Sequence, residues 1–124
     1  MSKIKYDGFE LDIFDSAMRF RDYQIYYLKK YINDPFLEVG PGKGGMVNLY
    51  KRFSNDITIT EPDDTLFHLL KKKFKNKNKN IKIKNETIDK IKSKYQTIIY
   101  FDVLEHIQND LKEVRLASKK LKKN

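Results

Sequence analysis

A chain of 124 residues and 14.8 kDa has room for one domain and not two. Twenty-six basic against 17 acidic side chains leave it at +9, while 40% apolar and 13% aromatic residues supply a core and exclude disorder over the full length. With no cysteine, and only His68 and His106 as imidazoles, neither a disulfide framework nor a zinc site can be built, so no metal is expected.

Met1 to Asp15 carries several acids and lacks an apolar h-region, so it does not read as a signal peptide. No apolar run is long enough to span a bilayer, and a cytoplasmic protein without a membrane segment is expected. Phe14, Met18, Ile25, Leu28 and Ile32 recur at helical spacing and predict an amphipathic helix from about Ser16 to Tyr31, capped by Asp15 or Ser16. Asn33-Asp34-Pro35 stops it, because proline disfavours helix at the residue before it. An N-terminal helical segment (1–34) is thus set apart from an α/β unit (35–124).

Phe36 to Val39 reads as a short buried strand leading into the glycine-rich Gly40-Pro41-Gly42-Lys43-Gly44-Gly45. Met46 to Phe53 can form a helix with Met46, Leu49, Tyr50 and Phe53 on one face. Asp56 to Thr60 is a β-branched second strand, ending at Glu61-Pro62-Asp63-Asp64. Asp63 or Asp64 caps a helix running through Phe74, whose apolar face is Leu66, Phe67, Leu69 and Leu70.

Residues 71–84, KKKFKNKNKNIKIK, contribute +8 without an acid, whereas residues 1–70 sum to −2. Such a run is ordinarily a solvated helix end and loop, and with Phe74 as its one aromatic it lacks the interleaving of a base-stacking surface. Ile81 and Ile83 suggest a third strand and Thr97 to Phe101 a fourth. A final helix follows over about Glu105 to Leu121, with Ile107, Leu111, Val114 and Ala117/Ser118 inward. Strands alternating with helices indicate an α/β fold with a mainly parallel sheet.

Chemistry concentrates in Glu38-x-Gly40-x-Gly42-x-Gly44, between a strand and a helix. Glycines there let the backbone bend sharply and let a ligand approach the main chain, and the following helix start offers amide groups. A phosphate-binding P-loop fails, because Lys43 is followed by Gly44 and comes too early. A dinucleotide site also fits the spacing, since Gly40, Gly42 and Gly45 satisfy G-x-G-x-x-G and Glu61 follows at the ribose-binding distance.

Charge separates the two readings. Glu38 puts a carboxylate beside the bend, which repels a pyrophosphate but favours a phosphate-free cofactor with a sulfonium and an ammonium, such as S-adenosylmethionine. Glu61 can accept both hydroxyl hydrogens of a ribose. Taken singly, Glu38 could instead be a strand-end acid bonded to loop amides, and Glu61 a helix cap.

Glu38 to Gly44, Glu61 and the segment Tyr100-Phe101-Asp102-Val103-Leu104-Glu105-His106-Ile107 together resemble class I S-adenosylmethionine-dependent methyltransferases of the small-molecule type. The resemblance implies a Rossmann-like three-layer fold with strand order 3-2-1-4 and flanking helices. It implies that Glu38, Gly40, Gly42 and Gly44 line the methionine part of the cofactor, that Glu61 holds the ribose, and that Glu86 or Thr87 borders the adenine. There Lys84-Asn85-Glu86-Thr87 lacks the family's usual aspartate. Phe101 and Asp102 fall where the fourth strand's end faces the cofactor's amino-acid end and the acceptor, and Asp102 and His106 are the candidates for a catalytic base. Arg19, Arg21 and Tyr23 on the first helix could cover the pocket.

A complete domain of the family has the strand order 3-2-1-4-5-7-6. This chain supplies four strands, so an incomplete domain is expected, with its fourth strand an exposed edge open to self-association or to a completing chain. The acceptor is expected to be a small molecule. The alternatives are a non-catalytic module gripping nucleic acid or an anionic partner through Lys71 to Lys84, and a nicotinamide-dependent oxidoreductase.

Overall fold

A computed structural model describes residues 8–74 and 80–123, with side chains from Ala17 onward. Four short parallel strands form one sheet: β1 (Phe36–Val39), β2 (Ile57–Thr60), β3 (Ile81–Lys84) and β4 (Thr97–Ile99). Their order is β3-β2-β1-β4, as expected, with Phe36 facing Ile57 on one side and Thr97 on the other. Four helices connect and cover them: α1 (Gly8–Leu28), α2 (Val47–Tyr50), α3 (Asp64–Phe74) and α4 (Asp110–Ser118).

Side chains alternate across a strand, so β1 and β2 feed two cores at once. On one face Phe36, Ile57 and Ile59 pack with Ile25 of α1, Val47 and Tyr50 of α2, and Leu70 and Phe74 of α3. On the other, Leu37 and Val39 pack with Ile88, Ile91, Tyr95 and Ala117 of α4. The N-terminal helical segment therefore shares a core with the sheet through Ile25 and Ile32.

Several boundaries and faces differ from the sequence reading. Helix α1 begins at Gly8, so Asp15 and Ser16 lie inside it and not at its cap, and a 3-10 turn (Lys29–Tyr31) replaces its last turn. Of its expected stripe only Ile25 and Ile32 are fully committed: Leu28 is half-buried, Met18 is exposed, and the Phe14 side chain lies outside the described residues. Helix α2 is a single turn. In α3 the Asp63 carboxylate accepts from the Leu66 amide at 2.8 Å, giving the expected cap. The buried pair, however, is Leu70 and Phe74, one turn apart, with Leu69 turned outward.

The largest difference is at the C-terminal side. The expected helix from Glu105 is broken: a 3-10 turn (Leu104–His106) comes first, and α4 starts after Asn109, whose side chain accepts from the Lys112 amide at 3.1 Å. An asparagine with a free side-chain oxygen is a better helix start than anything preceding it. Leu121 lies beyond the helix and bridges Tyr95. Ala117 is buried, but Leu111 and Val114 are 57% and 46% exposed, Ile107 is half-buried and Ser118 is exposed, so the expected inward face is mostly outward. Among the described residues, no strand pairs with the free edge of β4.

Candidate functional site

The carboxyl ends of parallel strands carry the loops that can meet a ligand, and here β1 ends in the glycine bend. Gly40, Gly42 and Gly44 all have positive φ, at 70°, 59° and 79°. Their needs differ. A Cβ on Gly44 would lie 2.8 Å from Cε2 of Phe74, so Gly44 is glycine because α3 presses against it. A Cβ on Gly42 would meet nothing within 4 Å, leaving its backbone open to an incoming group. The amides of the bend are less free than the sequence suggests: Gly40 donates to the Thr60 carbonyl (2.9 Å), Gly44 to the Pro41 carbonyl (2.9 Å) and Gly42 to Oε1 of Glu61 (3.2 Å).

Glu61 thus sits against the bend. Its Oε2 accepts from the Asp63 amide at 3.1 Å, and the Asn85 side-chain amide donates to the Glu61 carbonyl at 2.9 Å, tying the ends of β2 and β3 together. Glu38 is on the α2 face of the sheet by strand alternation and is almost wholly buried. It is not bonded to loop amides. Its Oε1 accepts from the Tyr50 hydroxyl at 3.2 Å, while its buried Oε2 has no partner. Burial pushes the Glu38 carboxyl up to about 8, opposed by the Tyr50 hydrogen bond. Tyr50 is held edge-on by Phe36, with centroids 4.7 Å apart, and stacks on Phe101 at 6.3 Å and 12°.

Two cavities of about 320 Å³ each flank the bend and share Gly40 and Val103 in their walls. The first contains Glu38, Gly42, Phe101 and Asp102, joined by Met18 and Arg21 of α1. The second contains Glu61, Glu86, Thr87, Ile88 and Glu113. Glu86 also carries a buried, unpartnered Oε2, while its carbonyl accepts from the Thr60 hydroxyl at 2.5 Å. Asp102 has φ of 55°, a left-handed conformation rare for a residue with a Cβ, which sets its carboxylate at the rim, paired with the Arg21 guanidinium.

The expected cofactor residues therefore gather at one end of the sheet, with one exception. Gly44 lines neither cavity, and Gly45 stands in the first wall in its place. Of the two candidate bases, Asp102 borders the first cavity. His106 does not line either one: it is 78% exposed on the 3-10 turn, 3.7 Å from the Glu105 carboxylate. Of the α1 residues considered as a cover, Arg21 reaches the first cavity, Arg19 lies outside it, and Tyr23 is exposed with its hydroxyl donating to Tyr27. Tyr50 was legible only as an apolar helix position, and nothing in its spacing marked it as the partner of Glu38.

Residues 15–124 match the sequence profile of a methyltransferase domain. The chain belongs to that family. No curated protein matches it in sequence. The methyltransferase domain is similar in fold to a magnesium protoporphyrin IX methyltransferase from Synechocystis with bound S-adenosylmethionine, at TM-score 0.73 and 15% identity, over 97% of this chain and 62% of that one. It is similar to an S-adenosylmethionine-dependent methyltransferase from Clostridium acetobutylicum at TM-score 0.65 and 18% identity, over 91% and 52% of the two chains. It is also similar to CalS10, an amino pentose methyltransferase from Micromonospora echinaspora, at 0.63 and 11%, over 98% and 55%. The methyltransferase domain thus spans between about half and two thirds of these solved structures' length.

The basic run gains no support as a nucleic-acid surface. Lys73 donates to the Lys43 carbonyl at 2.9 Å and Lys82 pairs with Asp56 at 3.6 Å, while Lys75 to Lys79 lie outside the described residues. No group of three or more metal-ligating side chains occurs among the described residues, and no helix there is long and apolar enough to cross a membrane.

Proposed function

We propose that this domain binds S-adenosylmethionine across the glycine bend and transfers its methyl group to a small-molecule acceptor. The observation that carries the reading is a pair of orphaned, buried carboxylate oxygens, Oε2 of Glu38 and Oε2 of Glu86, on residues in the walls of the two cavities either side of a bend that Glu61 grips. A buried carboxylate oxygen without a donor is costly. A ligand with cationic groups at one end and amine or hydroxyl donors at the other satisfies both, whereas a pyrophosphate at the bend would face the Glu61 carboxylate with like charge and could donate nothing to Glu38. In this reading Glu38, Gly40, Gly42, Phe101 and Asp102 surround the methionine part, Glu61 takes the ribose hydroxyls and Glu86 with Thr87 borders the adenine. Gly44 shapes the bend from behind.

The bound cofactor supplies an electrophilic methyl sulfonium. The chain's own residues then orient: Tyr50 fixes Glu38, Val103 closes on Gly40, and Phe101 makes an apolar wall. Alignment of two reactants is worth up to roughly 7–11 kcal/mol. Asp102, at the rim, is the carboxylate able to take a proton from an acceptor; His106 is not placed to do so.

Isothermal calorimetry with S-adenosylmethionine and S-adenosylhomocysteine tests the proposal. Glu61→Ala is expected to lose about 1.5–3 kcal/mol of binding, the worth of charge-assisted hydrogen bonds. An unchanged affinity in that variant, or no binding by the wild type, overturns it. The finer parts of the reading are a cytoplasmic location and, at the edge of β4, self-association or a completing chain. The groove beside that edge, lined by Ile98, Tyr100, Leu104, Val114 and Leu121, supports the latter.

A further inference from the structure

Beside the first cavity lies a third, of about 400 Å³, in the cleft between α1 and α2. Met18 and Leu49 belong to both walls and form an apolar sill between the two. The rest of the third wall is polar: Arg19 and Asp22 from α1, Asn48 from α2, and Arg52 just beyond it. Two guanidiniums against one carboxylate leave this wall positive. Arg52 is held in place. Its Nε donates to the Leu49 carbonyl at 3.2 Å, its Nη2 donates to Oδ1 of Asp22 at 3.1 Å, and its Cζ lies 5.3 Å from the centre of the Phe53 ring. These contacts fix the plane of the guanidinium and do not use Nη1, whose hydrogens are left for a ligand. With its side chains 57% and 61% exposed, the Arg52–Asp22 pair adds little to stability. Its effect is to aim Arg52.

The donor reading above sets the methyl group in the first cavity and leaves open what the acceptor carries. Resting on that reading, we propose that Arg19 and Arg52 bind an anionic group of the acceptor, a carboxylate or a phosphate, while the rest of that molecule crosses the sill of Met18 and Leu49 towards the methyl group. The acceptor is then a small molecule with an anion at one end and the methylated atom at the other. Planar guanidiniums suit either anion, because both accept paired N–H donors. Asn48 adds an amide donor to the same wall. The anion serves binding and orientation and takes no part in the transfer. Asp22, which holds Arg52 and does not meet the ligand, is a positioning residue.

The test is calorimetry of the full chain, saturated with S-adenosylhomocysteine, against 3-phenylpropanoate, phenyl phosphate and the neutral 3-phenylpropanamide. Wild type is expected to bind at least one anionic probe about fivefold or more tighter than the amide, and the tighter anion tells carboxylate from phosphate. Arg19→Gln and Arg52→Gln are each expected to erase most of that preference, while the affinities for the amide and for S-adenosylhomocysteine stay within about twofold. Lys122→Gln removes an equal charge outside the cavity and is expected to change nothing. A loss in Lys122→Gln as large as in the arginine variants makes the net charge of the chain the attractant and overturns the assignment. It is overturned equally if neither arginine variant loses the preference. Should circular dichroism show Arg52→Gln unfolded, Arg19→Gln decides by itself. Wild type that does not bind S-adenosylhomocysteine overturns the donor reading, and the acceptor role with it. Wild type that binds it but shows no preference among the probes overturns this assignment alone.

Discussion

The middle of the sheet and its β4 side are built from similar residues but end in opposite environments. Around β1 and β2, every strand side chain is buried, helices lie on both faces, and even the acids Glu38 and Glu61 are enclosed. Around β4, each strand residue is half-buried, one edge is unpaired among the described residues, and Leu111, Val114 and Leu121 of the adjoining segment face outward. Apolar content alone does not make a core; neighbours on both sides do. The buried half also holds the costly groups, since a carboxylate can be kept out of water only where packing already excludes it.

The contrast is most sharply broken by paired truncations. Phe36→Ala, at the centre of the inner core, is expected to cost about 3–5 kcal/mol in denaturant unfolding. Val114→Ser on α4 should stay within about 0.5 kcal/mol. A large loss at Val114 would mean that its face is covered in solution. The next effect distinguishes two glycines of one bend. Gly44→Ala combines left-handed strain with a clash on Phe74 and is expected to cost about 2–4 kcal/mol. Gly42→Ala meets no neighbour and should cost only the strain, about 1–2 kcal/mol, read from the shift in thermal midpoint.

The smallest effect at neutral pH is that of Glu38→Gln, because the buried carboxyl holds its proton up to about 8 and glutamine mimics the neutral form. Burial raises this group from 4.5, so the folded chain keeps a proton that the unfolded chain has released. Its contribution to stability is whole below 4.5 and declines as pH rises to about 8, and Glu38→Gln should remove that decline from a pH series of unfolding curves. The groups around it are Tyr50, which donates to it, and Asp102 and Arg21 in the same cavity wall. If a cationic ligand ionises Glu38, binding at pH 7 releases a proton. Titration heats would then depend on the ionisation enthalpy of the buffer in wild type and not in Glu38→Gln.

Much of this was legible in the chain itself, for local reasons. β-branched runs marked the strands, glycines marked the bend, and the alternation of strands with helices indicated a mainly parallel sheet, whose order 3-2-1-4 was implied by the family resemblance. Glu38 and Glu61 were readable because each stands at a strand end, a fixed distance from the glycines. The break before α4 was missed, although Asn109 carries the capping oxygen that starts the helix there. The aspect of α4 was missed because helical spacing says which residues share a face and not what that face meets.

The sequence alone determined where the chain bends, which residues alternate across each strand, and that one acid, Glu38, stands two residues before the first glycine of the turn, all of which follow from short-range backbone geometry. Only the tertiary structure decided that Tyr50 engages Glu38, that Arg21 from α1 meets Asp102, that Gly44 serves α3 while Gly42 stays open, and that His106 stands apart. Those pairings join segments far apart along the chain. Side-chain direction and burial exist only once the sheet has brought its strand ends together.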